Sequence, residues 1–309
     1  VAGPGGTGPA RSSDAPAVRT RRLTKDYGST RAVDRLDLEV HAGEIMGFLG
    51  PNGAGKSTTI RILLDLIRPT SGSAQVKGFD CQSEGRAARA ASGYLPGDLR
   101  LYERWTGAEV VRFVTELRGP GRPDGAAEVA EQLELDLGRR VNAYSRGNRQ
   151  KLGLVLALAH HPDVLILDEP TSGLDPMHQR TIWAVLRERA AAGAAVLLSS
   201  HVMSEVESVC DSVAILRHGR LLEFGPVRDL VAGAPARLEI TFDGPAPDLS
   251  RVPGVLDLTA NGSGAASLSF RGDPNDLIRE LAGARIATMT VRPPRLDDVV
   301  LALYRQEQA

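Results

Sequence analysis

Residues 50–58 read Gly-Pro-Asn-Gly-Ala-Gly-Lys-Ser-Thr, and this stretch restricts the fold more tightly than any other. The run before it, "EIMGFLG", is short and apolar, as a buried strand would be. The run after it, "TIRILLDLI", is apolar at helical spacing. A strand must therefore turn through a glycine-rich loop and feed a helix. Glycines let successive backbone N–H groups turn inward on an anion. The following helix adds its unpaired N–H groups and the positive end of its dipole. Gly50, four residues, Gly55, Lys56 and Ser57 complete the G-x-x-x-x-G-K-[ST] spacing of a phosphate loop. Lys56 is expected to reach the β- and γ-phosphates of a nucleoside triphosphate, and the Ser57 hydroxyl to bind Mg²⁺.

A second apolar run, "VLILDEP", ends in Asp168 and Glu169. A strand end beside a phosphate loop is where an acid anchors Mg²⁺, which falls to Asp168. Glu169 is expected to polarise the attacking water as a general base. "AAVLLSSH" is another buried-strand run and ends at His201. Apolar strands separated by helices point to a parallel sheet covered on both faces. Residues 97 to 160 read as mostly helical.

The order of the remaining motifs narrows the reading. "YSRGNRQ" precedes the carboxylates, "SGLD" follows them, and His201 comes last. Over about residues 18 to 232 the chain resembles the nucleotide-binding domain of ABC transporters. The resemblance implies an α/β fold: a P-loop NTPase core of the ABC ATPase type, with a mixed sheet and a helical subdomain. It implies that Tyr27 stacks on adenine and that Gly50, Asn52, Gly53, Ala54, Gly55, Lys56, Ser57 and Thr58 hold the phosphates. Ser145 and Gly147 match the signature motif, which contacts the γ-phosphate held by the other protomer. Asp168 and Glu169 match the Walker B acid and the catalytic glutamate. Asp175 matches the D-loop aspartate, and His201 the switch histidine that senses the γ-phosphate. Simpler roles stand beside these. Tyr27 can be a strand-end tyrosine, and Ser145 and Asp175 can be helix N-caps. His201 can cap the helix that follows it.

The chain departs from the family pattern in two places. Arg146 and Asn148 stand in the signature motif where Gly and Gln are usual. In "GYLPGDLRLY" the slot for a glutamine after the proline is Gly97, followed by Asp98. Either Asp98 substitutes, or coupling at this loop is weaker.

One phosphate loop and one signature motif make half of each shared site. The resemblance therefore implies a homodimer, or a heterodimer with a paralogue, closing on two ATP and two Mg²⁺. No apolar stretch reaches the roughly 20 residues that span a bilayer. Service to a membrane is then expected from its cytoplasmic face, through a separate permease subunit. The net charge of −1 gives no bulk attraction for nucleic acid. Cys81 and Cys210 lie in no metal spacing and read as buried thiols, and His160 and His161, at a helix end, as structural.

Residues 1–17 are rich in Gly, Pro, Ala and Ser and are expected to be disordered. Near 232 the texture changes to turn-rich segments between short strands. Residues 235–309 are expected to form a small C-terminal α+β accessory domain. Its closing segment, "VRPPRLDDVVLALYR", looks like the corresponding helix of drug-resistance-type exporter ATPases. A plain amphipathic helix would instead face Leu296, Val299, Val300 and Leu303 inward. The leading expectation is an ATPase subunit powering export. The alternative, a soluble ABC ATPase acting on ribosomes or DNA, usually shows paired cassettes, long coiled-coil insertions or basic arms. The permease is expected to meet residues 98 to 118, where Tyr102 and Trp105 are candidates, with core packing as their alternative role.

Overall fold

The computed structural model describes residues 15–119, 124–261 and 264–306. The chain divides into two compact units, one up to Phe224 and one from Gly225, ahead of the composition change near 232.

The first unit begins with strands β1 (Val18–Tyr27) and β2 (Thr30–Val40), then β3 (Ile45–Leu49) and helix α1 (Lys56–Leu63). Next come β4 (Ser71–Val76), β5 (Phe79–Asp80), α2 (Gly85–Ala90) and β6 (Ser92–Leu95). Helices α3 (Gly107–Arg118), α4 (Ala126–Gln132) and α5 (Arg146–Leu158) follow. The unit closes with β7 (Val164–Asp168), α6 (Pro176–Ala191), β8 (Ala195–Ser200), α7 (Met203–Val209), β9 (Ser212–Arg217) and β10 (Arg220–Pro226), the last of which runs across the division.

Among the described residues these strands form two sheets, a four-stranded one ordered β2-β1-β4-β5 and a six-stranded one ordered β10-β9-β3-β8-β7-β6. In the first, β1 pairs antiparallel with β2 and β4. In the second, β3 pairs parallel with β8 and β9, and β7 parallel with β8 and β6. Every residue of β3, β7 and β8 is buried, as continuous apolar strands covered on both faces must be. One core joins the antiparallel sheet, through Val18 and Leu23, to α1, through Ile60 and Leu63, and to Phe48 and Ile166 of the parallel sheet.

Register decides what happens at the carboxyl ends. Leu49 pairs with Ser200, and Asp168 with Ser199. The next residues, Gly50, His201 and Glu169, therefore leave three neighbouring strands at one rim. Leu95 pairs with Leu167, so Gly97 leaves beside them.

Three expectations need correction. Residues 1–14 lie outside the described set, but Ala17 is buried and ordered: its N–H donates to Val40 O at 2.7 Å and its carbonyl accepts from Lys77 N at 2.6 Å. The inner strand β1 thus extends its pairing back by one residue to include it. Residues 98–106 are not helical, because α3 starts only after Thr106, whose side chain caps it together with Glu109. In that loop Tyr102 and Trp105 stack on each other, 4.5 Å between centroids, and edge onto Phe113. Neither is a core residue: Tyr102 is exposed and Trp105 half-buried.

The second unit holds α8 (Val227–Ala232), β11 (Ala236–Phe242), β12 (Val255–Asn261), β13 (Ala265–Phe270), α9 (Pro274–Leu281), β14 (Ile286–Arg292) and α10 (Leu296–Gln306). Its sheet runs β12-β13-β11-β14, with antiparallel pairing. Alternate residues of β11 (Leu238, Ile240, Phe242) face the core with Leu277 and Leu281 of α9. Along α10, Leu296 and Val300 are buried, while Val299 and Leu303 are half-buried.

Candidate functional site

Gly50 and Gly55 set the path of the phosphate loop. A Cβ at Gly50 would lie 2.5 Å from the Leu216 carbonyl oxygen. Gly55 has φ of +103°, and a Cβ there would meet Ala32 O at 2.5 Å. Both positions require the residue with no side chain. Gly55 is also the N-cap of α1, so the loop delivers the helix N-terminus to its own mouth. That mouth is a cleft of about 580 Å³. Residues from Pro51 to Thr58 line it together with Gly97, Asp98, Asp168 and Glu169.

Lys56 is buried. Its Nζ donates to the carbonyls of Gly50 and, at 3.3 Å, Pro51. Burial lowers its pKa, and the nearby Glu169 and Asp168 carboxylates act against that shift. The lysine charge is thus held against the loop at the place where phosphate charge would be met. Ser57 Oγ donates to Asp168 Oδ2 at 3.0 Å. The other oxygen, Asp168 Oδ1, accepts from the Ser199 hydroxyl, a partner supplied by the β7–β8 register.

Glu169 sits at φ +53°, a left-handed conformation unusual for a side-chain-bearing residue. Its backbone is held from two sides. Its N–H lies 3.2 Å from both the hydroxyl and the carbonyl of Ser199. Its carbonyl accepts from Gln150 Nε2 at 3.2 Å, and the same amide donates to Pro170 O at 3.0 Å. Both oxygens of its carboxylate lie 2.9 Å from Nδ1 of His201. Glu169 and His201 therefore form one unit.

Tyr27, Ser145, Gly147 and Asp175 are not among the residues that line this cleft. Tyr27 is 47% exposed at the end of β1, with Lys25 Nζ 5.0 Å from its ring centre. Ser145 caps α5, its hydroxyl accepting from Asn148 N at 3.2 Å. Gly147, the second residue of α5, faces Leu174 so closely that a Cβ would approach it to 2.9 Å. Asp175 caps α6 through Met177 N and His178 N, at 3.0 and 3.1 Å. The His178 ring, followed by these backbone N–H groups, holds the Asp175 pKa below its ordinary value. Arg146 donates to Ser172 Oγ at 3.1 Å, joining the start of α5 to the "SGLD" loop. A side chain at Gly97 would start 3.4 Å from the Asp168 carboxylate. The Asp98 carboxylate is instead paired with Arg100 at 3.1 Å.

Sequence reading missed Ser199 and Gln150, which fix the backbone and carboxylate of the acid pair. The two serines closing the apolar run "VLLSS" were a usable signal, because polar side chains at a buried strand end need partners. Arg31, which lines the cleft, carried no signal. Cys81 and Cys210 are buried free thiols; burial pushes the Cys81 pKa up to about 12 and that of Cys210 up as well. Buried His160 lies 3.0 Å from Ser92 O, and His161 accepts from Arg189, both at the opposite end of β7 from Asp168.

Residues 33–172 match the family model described as "ABC transporter". The chain is 39% identical over 219 residues to the daunorubicin/doxorubicin resistance ATP-binding protein DrrA of Streptomyces peucetius, a match covering 69% of this chain and 66% of that one. It is 35% identical over 298 residues to the Nod factor export ATP-binding protein I of Rhizobium meliloti, covering 94% and 89%. A solved structure of the ATP-binding subunit of an ABC transporter superposes with a TM-score of 0.64 at 29% identity, over 69% of this chain and 91% of that one.

Proposed function

Since the chain belongs to the family of ABC transporter ATP-binding proteins, we propose that it is the ATP-hydrolysing subunit of an exporter of the drug-resistance type. In this reading two copies, or one copy and a paralogue, act from the cytoplasmic face of a membrane on a separate permease. Among the described residues no helix is long and apolar enough to cross a bilayer, and in this reading the permeation path lies in that partner. Export is the direction carried by the name of the Nod factor relative, and drug resistance by that of DrrA.

The observation that carries the ATPase reading is the rim where β3, β7 and β8 end in register. It brings the phosphate loop, Asp168, Glu169 and His201 within reach of one another. Backbone N–H groups of the loop and the start of α1 receive the phosphates, and Lys56 meets their charge. Ser57 and Asp168 offer adjacent hard oxygens at the cleft mouth, a set that suits Mg²⁺, which binds few protein ligands beside substrate phosphates. When bound there, Mg²⁺ would neutralise charge on the β- and γ-phosphate oxygens. Glu169 orients the attacking water and accepts its proton, and His201 holds the Glu169 carboxylate in place.

Ser145, Gly147 and Asp175 stand at helix starts outside the cleft of their own chain. They are assigned to the triphosphate bound by the other protomer, where the N-terminus of α5 meets the γ-phosphate. Closure then depends on that phosphate, and its loss shifts the population toward the open pair. Tyr27 is assigned to the adenine ring.

Lys56→Ala tests the reading. Turnover of Mg²⁺·ATP by the purified chain should fall by about 10³-fold, the scale of losing a transition-state charge partner. Retained turnover would mean the phosphate loop is misassigned. Affinity capture of the tagged chain from membranes should recover a polytopic protein; recovery of ribosomes instead would contradict export.

A further inference from the structure

The rim described above is held together by a residue that touches none of the reacting groups. Glu205 lies on α7. Its Oε1 accepts from Thr171 Oγ1 at 2.9 Å and from Gln179 Nε2 at 3.3 Å. Its Oε2 accepts from Ser200 Oγ at 3.1 Å. Each donor belongs to a segment that carries a site residue. Thr171, 2% exposed, stands two residues after Glu169. Gln179 also donates to Leu174 O at 3.2 Å, the residue before Asp175. Ser200, fully buried, immediately precedes His201, and its hydroxyl accepts from Val202 N at 2.9 Å. One carboxylate thus joins the segments of Glu169, Asp175 and His201.

Nothing in the packing of α7 requires that carboxylate. Val206 and Val209 anchor the helix by burial, and Val206 lies so close to β3 that a Cβ at Gly47 would approach it to 2.6 Å. The strain at Glu169 gives the bonds a purpose. A left-handed residue persists only when its surroundings over-determine it. Ser199 and Gln150 fix the backbone of Glu169 itself, and Thr171 fixes where the chain goes next.

Building on the ATPase reading above, we infer that Glu205 is a positioning residue. It sets the Glu169–His201 pair relative to the phosphate loop, and carries the Asp175 segment on the same carboxylate. It acts on geometry through hydrogen bonds, and its negative charge is not the active property. Displacements of about 1 Å at a reacting pair cost on the order of 100-fold in rate. Nucleotide affinity, set by the phosphate loop, is independent of it.

Steady-state ATP turnover by the full chain tests this. Glu205→Ala should lower kcat by about 10- to 100-fold with KM for ATP within about twofold. Glu205→Gln should return kcat to within about threefold of wild type. Its carbonyl oxygen can accept from Thr171 and Gln179, and its amide can donate to a rotated Ser200 hydroxyl. Thr171→Val, nearly isosteric, should lower kcat about fivefold with KM unchanged, the loss of one hydrogen bond; it decides the matter if Glu205→Ala does not fold. Wild-type kcat in both Glu205→Ala and Thr171→Val overturns the inference. So does a change confined to KM, or Glu205→Gln as slow as Glu205→Ala. A wild-type chain that does not hydrolyse ATP overturns the ATPase reading, and this inference with it. Active wild type beside equally active variants overturns this inference alone.

Discussion

Strands β7 and β14 stand at opposite extremes of burial. All five residues of β7 are buried, and all seven of β14 are exposed. Composition does not separate them completely, because β14 carries Ile286, Met289 and Val291. Position does. β7 is paired on both edges, by β6 and β8, whereas β14 closes one edge of its sheet. Met289 and Val291 sit opposite Ile240 and Leu238, on the core-facing side, yet remain 41% and 53% exposed. Chemistry is built on the first kind of strand. Asp168 and Glu169 leave β7 at a fixed height because its neighbours fix its register. The second unit, with a smaller core, carries none of the site residues assigned above.

The sharpest way to break this contrast is to cut the two strands equally. Ile166→Ala in β7 should destabilise the first unit by about 2–5 kcal/mol, the cost of removing buried methyl groups and leaving a cavity. Both tryptophans, Trp105 and Trp183, lie in the first unit, so their fluorescence during urea unfolding reports on that unit alone. A shift below about 0.5 kcal/mol would mean that β7 is not packed as described.

Next in size comes the acid anchor of the first unit. Burial pushes the Asp34 carboxyl up, but hydrogen bonds and charges from Arg220, Arg35 and Arg31 outweigh it and leave its pKa below the ordinary value. A depressed folded-state pKa stabilises above the unfolded value, about 3.9, and that contribution is lost as pH falls through the folded value. Wild type should therefore exceed Asp34→Asn in urea midpoint at pH 7 and 5, and the gap should narrow below pH 4. A gap of constant size across that range would contradict the assignment. The corresponding pair in the second unit, Arg237 with Asp298, is longer at 3.6 Å and more exposed.

Smallest of all is Met289→Ala in β14. Its side chain is 41% exposed at an open sheet edge, so stability should move by no more than about 0.5 kcal/mol. Unfolding followed by far-ultraviolet circular dichroism would report it. A large loss would show that β14 is covered in solution.

The same contrast explains what could be read from the sequence. The phosphate loop, β7 and β8 were legible because burial on both faces writes continuous apolar runs, and phosphate binding forces glycines into fixed spacing. Ser145 and Asp175 were legible twice over, as helix caps and as motif residues, and both do cap helices. Strand β4, "SGSAQV", left almost no trace, since its pairing with β1 needs backbone groups and not large side chains. The placement of Tyr102 and Trp105 was not legible either: aromatics in a loop can stack on one another without entering a core. Glu205 and Gln150 were invisible for a different reason. Their partners lie 19 to 34 residues away in sequence, apart from Ser200, and only the fold brings them together.

Size-exclusion chromatography of Glu169→Gln with light scattering, with and without Mg²⁺·ATP, bears most directly on the shared site. Binding without turnover should convert the chain from a monomer to a dimer holding two ATP, and Ser145→Arg in the same background should prevent it. A Glu169→Gln chain that binds ATP fully and stays monomeric would contradict a triphosphate enclosed between two copies.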